Sequence, residues 1–200
     1  TSSFYYRQTD GVIDRIRRVN DDGTTISRPE NLLTENSFGA DLTFNISPYK
    51  WWDLNGNANF FRSITDGGNL GPDFQADTYT WFGRLTSKMT LFEDFDTQLR
   101  VNYRAPRRTT QGSTKSYTFV DLAISKDVLQ DKGTLTLSVQ DLFNSRLYRY
   151  TTEAPGFFAE SEWRWRARQV ILSFNYRLNQ KKQRGRGGRG GGDYGGGGDF

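Results

Sequence analysis

The side chains that most enzymes use for acid–base, nucleophilic or metal chemistry are scarce in this sequence. Its 200 residues include no Cys and no His, which excludes disulfides and thiol nucleophiles and removes the commonest general base and metal ligand. Carboxylates are abundant, but spacing sets no pair apart as an acid–base couple. The acidic turns at 20–23 (NDDG) and 65–68 (TDGG) lack the spaced oxygen donors of a calcium loop. We therefore expect no enzyme, no cofactor and no metal site.

Basic and aromatic side chains are instead arranged in ways that suit binding. The segment 145–162 (SRLYRYTTEAPGFFAESE) combines arginines, which suit an anionic ligand, with aromatic rings that could contact it. Its candidate ligand-binding residues are Arg146, Tyr148, Arg149, Tyr150, Phe157 and Phe158. The alternative is a loop that only packs on neighbouring loops.

The last twenty residues, 181–200 (KKQRGRGGRGGGDYGGGGDF), form a separate compositional unit. Five basic and two acidic side chains give this segment a local charge of +3. Residues 185–190 satisfy the dinucleotide-binding pattern G-x-G-x-x-G, but only glycine-rich sequence follows where a helix is required. Because such sequence cannot bury enough apolar surface to fold, residues 179–200 are predicted to be a disordered Gly/Arg-rich tail.

Alternation of apolar and polar residues with a period of two runs through almost the whole chain before this tail. At 38–46 (FGADLTFNI), Phe38, Leu42 and Phe44 share one face, and Asp41 lies on the other. The other predicted strands lie near 2–19, 52–60, 79–89, 95–104, 120–124, 135–140 and 170–178. Residues 1–178 are thus predicted to form eight antiparallel strands.

The connections between these strands alternate between short and long. The short ones are 47–50, 92–94 and 130–132, and the long ones are 65–77, 107–115 and 145–162. Outer-membrane barrels sort their connections in this way, because their periplasmic turns are tight and their external loops are long. Strands of roughly 11 to 16 residues exceed the ~10 needed to cross an apolar band of ~25 Å. The pattern predicts a transmembrane β-barrel, with a soluble sheet that has one wet face as the alternative.

Aromatic residues near the short turns predict an interfacial girdle on the periplasmic side. The girdle residues are Tyr49, Trp51, Trp52, Phe95, Phe174 and Tyr176. Because the last predicted strand ends at the short-turn side, the C-terminus is expected in the periplasm. There the tail could associate with anionic headgroups of the inner leaflet or with a periplasmic partner.

The predicted barrel also suggests roles for two further sets of basic residues. Arg84, Lys88, Arg100 and Arg104 have the parity of the polar, lumen-facing positions. They could line a substrate path or pair with carboxylates of a plug inside the barrel.

The run WRWRAR places Arg164, Arg166 and Arg168 in the parity of the lipid-facing Val170. Arginine at mid-bilayer would cost about 2–4 kcal/mol, a penalty that falls towards zero at the interfaces. We therefore expect the strand to have left the hydrocarbon here, so that the guanidiniums contact headgroups of the outer leaflet. The alternative is a bulge or register change that turns them inward.

The segment 139–148 (VQDLFNSRLY) resembles the V-x-N-L-F-x-x-x-Y signature near the end of TonB-dependent outer-membrane receptor barrels, with Asp141 where Asn is more usual. Residues 119–145 are similar to the late strands of the Bacteroidetes-type branch of that family. The opening FYYRQTDGVIDRI and the closing VILSFNYRLN match the same branch. The resemblance covers residues 1–180 and implies the C-terminal third of a 22-stranded barrel, whose plug and TonB-contacting box lie outside this chain.

The resemblance implies a receptor in the outer membrane of a Gram-negative bacterium that binds and imports an unidentified ligand. External loops would capture the ligand, and an energy-coupled rearrangement of the plug would admit it. The implied partners are outer-membrane lipid and lipopolysaccharide, TonB, the plug domain, and a periplasmic or lipoprotein partner.

Two other functions remain open. A barrel of the same make could have a structural or assembly role without transport. A soluble nucleic-acid binder with an RGG tail is the least favoured, since basic RGG segments bind single strands but the predicted strands face a membrane. We expect no nucleic-acid partner.

Overall fold

The computed structural model describes residues 1–72, 74–92 and 94–178. All the regular secondary structure within these ranges is β-strand. The strands are β1 (Ser2–Asp10), β2 (Ile13–Val19), β3 (Thr25–Asn31), β4 (Thr34–Tyr49), β5 (Trp52–Asp66), β6 (Gln75–Leu91), β7 (Phe95–Arg104), β8 (Arg107–Thr109), β9 (Gly112–Thr114), β10 (Tyr117–Val128), β11 (Gly133–Gln140), β12 (Tyr148–Ala154), β13 (Phe157–Trp163) and β14 (Gln169–Tyr176). The Gly/Arg-rich tail, with its predicted disorder and periplasmic position, lies outside the described residues.

Eight strands form one antiparallel sheet in the order β1-β4-β5-β6-β7-β10-β11-β14, which we call the main sheet. The prediction of an all-β fold with eight antiparallel strands in one sheet is confirmed, although β1, β7, β11 and β14 are shorter than predicted, with 9, 10, 8 and 8 residues. Within the described part of the chain, β1 pairs only with β4 and β14 pairs only with β11. The main sheet is therefore open, with β1 and β14 as its two edges.

The predicted first strand at 2–19 is wrong, because the chain turns within it. Gly11 has a φ of 64°, a left-handed conformation that suits glycine, and its N–H donates to the carbonyl of Leu33 at 2.9 Å. The ladder between β1 and β4 ends at Asp10 opposite Thr34, and β2 then pairs with β3. Residues 13–19 consequently belong to a hairpin beyond the sheet.

The main sheet has one apolar and one polar face, because the register sets like positions of neighbouring strands opposite each other. Gly56 is opposite Leu85, for example, and Leu137 is opposite Leu172. The apolar face is the uncovered one: Phe4 is 86% exposed and Leu172 is 69% exposed. On the other face Asp53, Asn55 and Asn57 are exposed, but several polar side chains are buried, namely Asn59, Ser63, Thr78, Thr80, Thr86 and Asn102. This is the reverse of a water-soluble sheet, whose apolar face is covered by a core.

The two ends of the main sheet differ as the predicted connections do. Short turns join β4 to β5, β6 to β7 and β10 to β11 at one end, the short-turn end. At the other, the long-loop end, the connections fold into a β2–β3 hairpin and a four-stranded sheet, β13-β12-β9-β8. The side chain of Gln111 joins the two by accepting from the N–H of Arg17 at 2.7 Å and donating to its carbonyl at 2.8 Å. The long connections are thus ordered structures, which the sequence treats only as loops.

Candidate functional site

The polar face carries a group of cations that the register brings together from neighbouring strands. Arg84 and Lys88 lie on β6, and Arg100 lies on β7, where it is opposite Thr86. They line a cavity of about 490 Å³, which adjoins a second of about 390 Å³ that shares Arg84 and Arg100. The register of the strands places these three residues on the polar face, and that this face lines a lumen stays a prediction.

Arg146 joins this group, although the sequence places it in an external loop. It lines the second cavity with Arg84 and Arg100, and its guanidinium carbon lies 4.6 Å from the centroid of the Phe119 ring. Arg84 is fixed from the other side, because its Nε donates to Oδ1 of Asn102 at 2.9 Å. Two guanidiniums are therefore held in position by contacts of different kinds.

The turn after β11 explains how Arg146 reaches the polar face. Asp141 has a φ of 52° and is only 4% exposed. Its carboxylate accepts from the N–H of Ser145 at 2.8 Å and from the N–H of Arg146 at 3.0 Å, and its own N–H donates to Asp121 at 3.0 Å. Asn144 is also left-handed, with a φ of 53°. The residues that carry the family resemblance thus form a turn around the buried carboxylate of Asp141, a role that the sequence motif alone does not assign.

A row of aromatic rings and one arginine crosses the polar face near the long-loop end. Arg104 lies between two rings, 5.7 Å from the centroid of Phe82 and 5.9 Å from that of Tyr117. Phe61 meets Phe82 edge to face at 6.4 Å, and the ring of Tyr148 lies 4.6 Å from that of Tyr117. The sequence contained a sign of this row that the prediction did not use. Aromatic residues occupy some of the positions that alternate with the apolar ones and are otherwise filled by polar residues.

The other predicted loop residues pack among the loops or point to solvent. Arg149 pairs with Glu162 at 2.9 Å, and the ring of Phe157 lies 5.5 Å from the guanidinium of Arg17. Tyr150 lines a small cavity between the loop strands, and Phe158 is exposed. The predicted ligand-binding set therefore divides, with Arg146 and Tyr148 at the polar face and the rest in the loop structure.

The six predicted girdle residues all lie at the short-turn end of the main sheet. Tyr49, Trp51 and Trp52 stack at the β4–β5 turn, with centroids 5.5 to 6.2 Å apart. Phe174 and Tyr176 stack at 6.4 Å on β14. Phe95 begins β7, and the amine of Lys126 lies 4.6 Å from its ring centroid.

An ion pair marks the opposite boundary of the apolar face. Arg62 donates to Asp77 through Nε at 2.8 Å and through Nη2 at 2.5 Å, and its guanidinium lies between the rings of Phe38 and Tyr79. Trp52 and Arg62 are ten residues apart on β5, which at ~3.3 Å per residue and a tilt of ~40° corresponds to ~25 Å along the barrel axis. That is the height of the apolar band in outer-membrane barrels.

The arginines of WRWRAR lie outside β14. The strand begins at Gln169, and Arg164, Arg166 and Arg168 precede it without regular structure. Arg168 is bound to the signature turn, since its Nη1 donates to the carbonyl of Leu142 at 3.3 Å. All three lie at the long-loop end, and their contact with headgroups stays a prediction.

The acidic turn at 20–23 has a structural role. The hydroxyl and the N–H of Thr24 donate to Asp22 at 2.6 and 2.8 Å, and these bonds lower the pKa of that carboxyl below its ordinary value. In the described ranges no cluster of three or more acidic side chains could hold a metal ion.

Comparison with known proteins places this architecture. The chain belongs to the outer membrane protein beta-barrel family, whose model matches residues 1–176. Neither the curated proteins nor the solved structures gave a match. Membership accounts for the exposed apolar face, because lipid covers that face in an outer-membrane barrel, and it supports a location in the outer membrane.

No helix in the part of the chain that the structure describes is long and apolar enough to cross a membrane.

Proposed function

We propose that this chain is part of the barrel of a TonB-dependent outer-membrane receptor, which captures a ligand at the long-loop end and admits it through the lumen. The observation that carries the proposal is the combination of an ordered loop structure with a polar face that holds arginines and aromatic rings. A purely structural barrel needs neither feature. The resemblance of 139–148 to the receptor signature gives independent support.

The open edges of the main sheet support a larger barrel. In hydrocarbon, unpaired backbone N–H and C=O groups cost several kcal/mol each, so strands cross a membrane only in closed barrels. β1 and β14 therefore each need a second strand partner, in addition to β4 and β11. The 22-stranded barrel that the resemblance implies would supply them.

The proposed orientation follows from the loops. Long connections of such barrels are external and short ones periplasmic, so β14 would end at the periplasmic side. The tail at 179–200 would then extend into the periplasm, where its basic residues are available to a lipid headgroup or a lipoprotein partner. TonB and a plug domain would complete the transport machinery.

A growth experiment tests transport. Strains that lack the gene, TonB, or both are compared on limiting amounts of single nutrients. We expect the two single deletions to share a growth defect on at least one nutrient, and the double deletion to be no worse, because both would block one route. Return of growth on expression of the full-length gene is the control.

The opposite outcome favours the structural alternative. A gene deletion that leaves growth on every nutrient unchanged, but makes the envelope permeable to detergent or large antibiotics, would contradict import and assign the barrel to envelope assembly. Recovery of the full-length protein in a detergent-free soluble fraction would contradict both functions.

A further inference from the structure

Three arginines at the polar face form no ion pair with an acidic residue in the part of the chain that the structure describes. Among residues 1–72, 74–92 and 94–178, ion pairs are formed by Arg62, Arg107, Lys115, Arg149 and Arg177. Arg84, Arg100 and Arg146, the arginine cluster, form none within those ranges. The two cavities they line contain four cations, counting Lys88, and two carboxylates, those of Asp53 and Asp121, which leaves a net charge of +2.

Both carboxylates already accept hydrogen bonds from other groups. Asp53 accepts from the hydroxyl of Ser47 at 2.5 Å, and Asp121 accepts from the N–H of Asp141 at 3.0 Å. Asp121 is directly opposite Arg100 across the β7–β10 ladder. The charge of the cluster is therefore only partly balanced by the chain itself.

Three buried donors of the cluster have no acceptor among the described residues. They are Nε of Arg100, Nε of Arg146 and Nδ2 of Asn102. Buried donors without partners are rare in proteins because desolvation costs free energy that a hydrogen bond normally offsets. All three residues line the second cavity, and their outer donor groups, rather than these enclosed atoms, are the ones that a bound acceptor would contact.

The cluster is also held ready to bind. Asn102 fixes Arg84 by accepting from its Nε, and the Phe119 ring and the Asp141 turn fix Arg146. A guanidinium presents planar, paired donors that match carboxylate and phosphate oxygens, and pre-ordering reduces the entropy lost on binding. Uncharged ligands would use fewer of these donors.

We propose that the arginine cluster is a binding site for a small solute that carries several carboxylate or phosphate groups. This inference rests on the proposed function, because it requires a ligand that enters the lumen. It adds the chemical class of that ligand. Arg84, Arg100 and Arg146 donate to the anion, and Lys88 adds charge at the edge of the site.

Calorimetric titration of citrate and of pyrophosphate into the full-length protein, purified from outer membranes in detergent, tests the site. We expect at least one probe to bind, and Arg100→Gln and Arg146→Gln each to weaken it by about tenfold or more, as loss of a charge-assisted hydrogen bond does. Arg100→Lys, which keeps the charge but not the fork, should lie between wild type and Arg100→Gln. Arg146→Gln, on a turn, remains the test if Arg100→Gln does not insert.

Arg108→Gln is the matched control, because Arg108 is an exposed loop arginine that lines neither cavity. Its binding should stay within about twofold of wild type, since exposed charges are screened. Equal weakening in Arg108→Gln, or no binding of either probe by wild type, would overturn the site. Failure to bind, together with lower thermal stability of Arg100→Gln and Arg146→Gln, would assign the cluster to a protein carboxylate instead.

The purified protein needs no TonB for this titration. Anion binding without any TonB-linked growth defect would therefore support the site and contradict transport. A TonB-linked growth defect without anion binding would support transport and contradict the site.

Discussion

The two faces of the main sheet are made by the same strands, yet one exposes apolar side chains and the other buries polar ones. On the apolar face, side chains such as Phe4 and Leu172 are exposed, and their free energy is lowered by lipid rather than by a protein core. On the polar face, Asn59 and Asn102 are buried, and both side chains take part in hydrogen bonds. The comparison shows that one period-two pattern specifies an apolar surface and a polar surface at once.

The two faces also differ in where they end along the strands. The apolar face stops at the stacked rings of Trp51 and Trp52 on one side and at the Arg62–Asp77 pair on the other. The polar face continues past its strands into the turn of Asp141 and the loop of Tyr148. Lipid thickness limits the first face, whereas the second can extend as far as hydrogen bonds and ring contacts reach.

The largest expected effect comes from placing a charge on the apolar face. Leu172→Arg, in the middle of β14, should lower the free energy of unfolding in lipid vesicles by about 2–4 kcal/mol, because the guanidinium must enter hydrocarbon. Ser173→Arg, one residue further and on the polar face, is the matched control and should change it by less than about 1 kcal/mol. Denaturant unfolding measures both. Equal losses would mean that the two faces do not meet different environments.

A smaller effect is expected at the turn that extends the polar face. Asp141→Ala removes the acceptor of the Ser145 and Arg146 N–H groups and should cost about 1–3 kcal/mol, the desolvation penalty of buried donors left unpaired. Asp141→Asn keeps an oxygen acceptor and tolerates the left-handed backbone, so its loss should be smaller. The same unfolding assay applies. An Asp141→Ala protein as stable as wild type would show that the turn does not depend on this carboxylate.

The smallest effect is expected at the boundary ion pair. Arg62→Gln and Asp77→Asn should each destabilise less than Asp141→Ala, because exposed pairs are screened by solvent. The double variant should be no less stable than either single one, since each change breaks the same bidentate contact. A double-mutant cycle measures this coupling. Strictly additive losses would indicate that Arg62 and Asp77 act separately, through the Phe38 and Tyr79 rings or through lipid.

Much of the main sheet could be predicted from the sequence because alternation is a local property. Val170 and Leu172 fall on one face of β14 whatever the rest of the chain does, since successive side chains of a strand point to opposite sides. The same rule places Arg84 and Arg100 among the polar positions of their own strands. The rule failed at Gly11, where a turn interrupts the predicted strand.

The candidate site could be predicted only in part. Arg84 and Arg100 share a face by parity, but Arg146 reaches them through two left-handed residues, Asp141 and Asn144. Nothing in the spacing of the sequence indicates those backbone conformations, which are uncommon outside glycine. The strands in the long connections could not be predicted from local sequence either, because β9 pairs with β12, which is distant from it in the chain.

The sequence by itself determined the fold class, the strands of the main sheet, the two faces and the sorting of short and long connections, because each depends on residues close together in the chain. Only the tertiary structure decided which cations meet. Arg84, Arg100 and Arg146 come from two strands and a turn, and their convergence depends on strand register and on hydrogen bonds to Asn102 and Asp141. The pairing of β6 with β7 joins different strands, and the turn is tied to β10 through Asp121, so this geometry exists only after the sheet has formed.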